Sequence, residues 1–200
     1  MPFVFLQNNG VLEEFKQALV ELDDQTILDR FYYARPAMKM EDDREAALRR
    51  SVATKFGVAM RDVIITGSAK IGFTTVTKDN RPIFSPFGDS SDIDVAIISS
   101  QLYTEKWRSA LDYSNEHGEW PQANAFRKYL MRGWLRPDQL PKAEEFPAYR
   151  DWFDYFLELT ASGNFGPYKI AGGVYYDEHF WERYASSSFK ECRLAIEEPL

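Results

Sequence analysis

Cysteine and histidine are nearly missing from this chain of 200 residues: one cysteine, Cys192, and two histidines, His117 and His179. An intrachain disulfide is thereby excluded, and a zinc site built on cysteines or on several histidines finds no ligands. Positive charge is also short. Against 31 Asp and Glu stand 24 Lys and Arg, a net charge of -7, so no broad basic surface is available for nucleic acid. No apolar run approaches the length of a membrane span. The opening Met1-Pro-Phe-Val-Phe-Leu-Gln7 is short and lacks a basic flank, so it does not read as a signal peptide and a cytoplasmic protein is expected. Repeats and low-complexity tracts are absent as well. What is plentiful is core material, with 44% hydrophobic and 16% aromatic residues, enough for one packed domain over 1–200.

Two apolar segments hold the chemistry. The first is Val63-Ile-Ile-Thr-Gly-Ser68; the second is Ser91-Asp-Ile-Asp-Val-Ala-Ile-Ile98. A strand sends alternate side chains to opposite faces, so Asp92 and Asp94 point one way while Ile93 and Val95 point into the core. Solvated polar alternation is the bland alternative, but the run Ala96-Ile97-Ile98 speaks for a buried strand. Two carboxylates at the head of a buried strand repel each other unless a cation joins them. Magnesium is the expected guest, because it is held by one or two carboxylates together with substrate phosphates. Gly67 and Ser68 offer a close-approach backbone and a hydroxyl for such phosphates.

A hydrophobic strand ending in Gly-Ser, a variable loop, and Asp-x-Asp in a second hydrophobic strand resembles the nucleotidyltransferase (polymerase-beta-like) superfamily, over about 63–99. The resemblance implies an α+β fold, a nucleotidyltransferase-like mixed β-sheet flanked by helices. It implies Mg²⁺ or Mn²⁺ on Asp92 and Asp94, and an NTP, with ATP the expected one, near Gly67, Ser68, Lys70 and Ser91. Members of the superfamily also carry a third carboxylate on a neighbouring strand. Asp177 is the candidate here, although an Asp just before a helix is equally suited to cap it. The loop between the motifs is longer than in compact members, and Lys70, Lys78 and Arg81 are its basic residues best placed to meet a triphosphate.

Around this core (about 58–100) the periodicity predicts helices over about 9–57, a helical segment over about 101–165, and a strand and helix over about 166–200. Asn8-Asn9-Gly10 precedes one helix, and a second short one runs from Ile27 to the break at Arg35-Pro36. A third spans Met40 to Phe56, with Gly57 ending it. Phe73–Thr77 and Arg81–Phe84 read as an inserted hairpin turning at Lys78-Asp-Asn80. Phe126, Tyr129, Leu130 and, after a break, Trp134 sit at helical spacing. Tyr168–Tyr176 reads as a strand with Lys169, Ala171, Gly173 and Tyr175 on one face, and a helix is expected from about Asp177 to Arg193. The functional expectation is transfer of a nucleoside monophosphate from an NTP to an acceptor, with release of pyrophosphate. A small molecule or a protein suits the charge as acceptor better than a long nucleic acid. The alternative is a nucleotide-binding sensor of the same fold with little or no turnover, acting with a protein partner of toxin–antitoxin or antiphage type.

Overall fold

Apolar strands and a short sheet edge set the architecture. The computed structural model describes residues 3–78, 81–142 and 146–197. Four strands, β1 (Val63–Thr66), β2 (Ile93–Ile98), β3 (Trp134–Leu135) and β4 (Ile170–Tyr175), form one mixed sheet in the order β1-β2-β4-β3. β2 runs antiparallel to β1 and parallel to β4, and β3 closes the sheet antiparallel to β4. The fold is therefore α+β, a four-stranded mixed sheet flanked by helices.

Side-chain alternation gives each face its own core. Val63, Ile65, Ile93, Val95, Ile97, Ile170 and Val174 bury one face against helices α3 (Asp42–Phe56), α5 (Ser100–His117), α6 (Ala123–Leu130) and α7 (Pro147–Ser162). Ala96 and Tyr175 face the other way. They pack with α1 (Phe3–Glu21), α2 (Asp24–Leu28), α4 (Gly67–Ile71), α8 (Glu178–Ser186) and α9 (Phe189–Glu197). β2 is covered on both faces, which is why it reads as a continuous apolar run rather than an alternating one. Ser99 caps α5 by accepting from the Leu102 amide, and Gly57 ends α3 in the left-handed region.

The structure departs from the sequence expectations in four places. Helix α1 already begins at Phe3, and Gly10 lies inside it. Trp134 belongs to a strand, because the left-handed turn at Gly133 ends the preceding helical stretch and the Gly133 carbonyl accepts from the Tyr176 amide. The C-terminal helix is two helices: at Ser187 and Ser188 the hydroxyls bond to the Tyr184 carbonyl and to Thr75 instead of continuing one α-helical run. The inserted hairpin closes through isolated bridges, Phe73 to Pro86 and Lys78 to Arg81, and not as a regular ladder. Pro82 and Pro86 withhold the amides that a ladder needs. The turn residues Asp79 and Asn80 lie outside the described residues. Among the described residues no helix is long and apolar enough to cross a membrane.

Candidate functional site

Strand directions alone bring the two motifs together. β1 ends where β2 and β4 begin, so Thr66, Asp94 and Ala171 stand in register across three neighbouring strands. Gly67 follows Thr66 with φ +64, and a Cβ built on it would lie 2.9 Å from Oδ2 of Asp94. Only glycine combines that backbone angle with that closeness. Ser68 comes next, half-buried, and its hydroxyl has no hydrogen-bond partner among the described residues.

The recess between the Gly67 turn and the head of β2 leaves Asp94 exposed. Desolvation, and then the neighbouring charge of Asp92, push its pKa up to about 6. Lys78, Lys169 and Arg136 act on it in the opposite sense. No hydrogen-bond donor reaches the Asp94 side chain among the described residues. A carboxylate beside a second carboxylate, without a hydrogen-bond donor, is an environment that a divalent cation relieves. The donor set of Asp92 and Asp94 therefore fits such an ion. The two aspartates would supply only part of its coordination, because no group of three or more His, Cys, Asp and Glu is placed to hold a metal ion among the described residues.

The third-carboxylate position is where the chain differs. On β4, Ala171 pairs with Asp94, and the residue before the strand is Lys169, whose carbonyl accepts from the Ile93 amide. Its Nζ lies 3.4 Å from Oδ2 of Asp92. Asp177 stands past the opposite end of β4, six residues from Ala171, or roughly 20 Å along a strand. There its carboxylate accepts from the Phe180 amide as the N-cap of α8. The structure does not bring Asp177 to Asp92 and Asp94.

Other candidates divide in the same way. Lys70 is buried and donates to the Arg35 carbonyl, away from the recess, and burial lowers its pKa. Ser91 is buried too. Its Oγ accepts from the Gly88 amide and from Arg81, so both side chains fasten the loop that leads into β2. Arg81 also donates to the Pro86 carbonyl. Of the three basic residues read from the loop, Lys78 is the one whose charge is felt at Asp94.

Arg136 and Lys169 complete the cationic rim, and no sequence pattern singles them out. Arg136 forms a two-pronged ion pair with Asp138 and lies over the rings of Tyr129 and Trp134. Trp134 stacks on Tyr175, with ring centroids 5.7 Å apart, and touches Tyr184. Burial, and then Asp94, push the Tyr184 hydroxyl up to about 12. The recess is thus an aspartate pair at the end of a sheet, with cations on its rim and an aromatic cluster beside it. No family model, curated protein or solved structure matches the chain.

Proposed function

We propose that the chain is a magnesium-dependent nucleotidyltransferase that moves a nucleoside monophosphate from an NTP, ATP in the first instance, to an acceptor. The observation that supports this best is the register Thr66–Asp94–Ala171, which sets the Gly-Ser turn against the aspartate pair. In such a reaction the acceptor heteroatom bonds to the α-phosphorus. The bond to the β-phosphate oxygen breaks, pyrophosphate leaves with the electron pair, and the acceptor loses a proton.

The residues divide the work by chemistry. Asp92 and Asp94 would hold the ion, and a bound magnesium would supply charge neutralisation for the phosphate oxygens. Gly67 lets the Asp94 carboxylate lie against the backbone, and the Ser68 hydroxyl is free to donate to a phosphate. Lys78, Lys169 and Arg136 offset the negative charge of the triphosphate and of the departing pyrophosphate. The net charge of -7 favours a small molecule or a protein as acceptor over a long nucleic acid. Cytoplasmic NTP and magnesium suit the same reading.

A second reading has one specific observation in its favour. Ala171 lies on a strand neighbouring the aspartates, with Lys169 just before that strand, where the superfamily would carry its third carboxylate, so nucleotide binding without turnover is the alternative. A partner protein would then read the bound state.

Calorimetry of ATP with and without Mg²⁺ tests the common part, comparing wild type with Asp92→Ala/Asp94→Ala. Metal-dependent binding that vanishes in the double variant, with the thermal transition retained, supports the site. No binding by either protein removes both readings. Pyrophosphate release with α-labelled ATP and candidate acceptors then separates transfer from sensing.

A further inference from the structure

Lys169 sits in an unusual place for a surface lysine. The hydrogen bond from the Ile93 amide to its carbonyl, 2.8 Å, fixes its backbone to the head of β2. The side chain itself is loosely held: it is 66% exposed, against 30% for Asp92, and the 3.4 Å contact is long for a charge-assisted hydrogen bond. An exposed pair of this kind is weak and easily exchanged. It is also the one ion pair that Asp92 makes among the described residues.

We infer that Lys169 is the internal counter-cation of Asp92, and that it disfavours a free divalent ion while admitting one that arrives on a polyphosphate. The inference rests on the nucleotide reading of the recess. A bare divalent cation entering between the aspartates meets the ammonium as a like charge and must displace it from Asp92. A metal–triphosphate complex is a net anion. Its phosphate oxygens give the ammonium a new partner as the metal takes the carboxylate, so the lysine passes from Asp92 to phosphate. Lys78 and Arg136 act with the same sign on the neighbouring Asp94, and both reinforce the preference. A carboxylate at this position would do the reverse, capturing free metal ahead of nucleotide.

The size of the effect follows from Coulomb's law. A single charge facing a double charge about 6 Å away in a water-like medium changes an equilibrium on the order of tenfold. Salt weakens it, since the lysine is exposed.

The probe is Mn²⁺. Free Mn²⁺ gives a six-line paramagnetic resonance signal that is lost on binding, so titration of the apo-protein reads affinity for the bare ion. Calorimetry with preformed Mn–ATP reads the complex. Lys169→Met is expected to bind bare Mn²⁺ about tenfold more tightly than wild type and Mn–ATP severalfold more weakly. Lys169→Arg keeps the charge and is expected to behave as wild type on both. If Lys169→Met leaves bare-ion affinity unchanged while wild type binds Mn–ATP, the inference is overturned and the nucleotide reading stands. If folded wild type and Lys169→Met bind neither probe, both fall. Loss of the wild-type Mn–ATP signal in Asp92→Asn/Asp94→Asn ties the signal to this recess; its retention there would place the metal elsewhere and overturn the inference.

Discussion

Gly67 and Asp94 approach so closely that a methyl group on the glycine would stand 2.9 Å from the aspartate's Oδ2. Residue 67 also has φ +64, which costs any other L-residue about 1–2 kcal/mol. Gly67→Ala is therefore expected to lower stability by about that amount, read by denaturant titration. It is also expected to abolish Mg²⁺-dependent ATP binding, because the carboxylate must turn aside. Binding at wild-type strength would separate the glycine from the site.

Asp94 gives the molecule a pH signature. Its folded pKa of about 6 lies above the value of an unfolded aspartate, so the folded chain holds that proton more tightly. The stability that this group contributes is fully present below about pH 4 and is lost as pH rises through about 6. Asp94→Asn is thus expected to melt above wild type at pH 7.5 and level with it near pH 4, both without metal. Equal melting temperatures at both pH values would show that the carboxylate is not held under desolvation.

Asp177 separates a structural role from a chemical one. Losing its cap on α8 is expected to cost about 1 kcal/mol, or about 2–4 °C in Tm. Metal-dependent ATP binding is expected to stay unchanged. A selective loss of binding with Tm preserved would make Asp177 a ligand after all.

Lys78 and Lys70, both read from the sequence as placed to meet a triphosphate, part company in the structure. Lys78→Ala is expected to weaken Mg–ATP binding severalfold at low salt and less at high salt, as for an exposed charge. Lys70→Met, whose parent side chain donates to the Arg35 carbonyl, is expected to leave that binding intact. Calorimetry at two ionic strengths decides both.

Packing beneath the site is tight at Gly172. A Cβ there would meet Phe156 Cζ at 2.3 Å, and Phe156 is buried beside Phe56 and Trp152. Gly172→Ala is expected to lose about 1–3 kcal/mol by overpacking. Adding Phe156→Leu is expected to restore part of it. A double variant less stable than Gly172→Ala would place the strain elsewhere.

The elements that were legible in the sequence are those written in local pattern. β2 announces itself by Val95–Ile98, α3 by its acidic first turn and Gly57, and the small-residue face of β4 by simple alternation. Non-local pairing is not written that way. Lys169 meets Asp92 across 77 positions, and nothing near either residue encodes the strand order that joins them. Lys70 follows Gly-Ser closely enough to look like a phosphate ligand. Residues 67–71 instead wind into a helical turn that buries it. Arg136 owes its place to β3, two residues long and too short to leave a period in the sequence.

The bond between the hydroxyls of Ser188 and Thr75, with the contact from Cys192 Sγ to the Thr75 carbonyl, has a consequence in time. Both partners follow Thr75 by more than a hundred positions. At roughly 5–20 residues per second of synthesis, the loop bearing Lys78 waits on the order of ten seconds for the segment that anchors it. A ribosome-bound chain can pair β1 with β2 well before that. The aspartate pair and the loop's own bridges can therefore form first, and the last helix locks the loop in place afterwards.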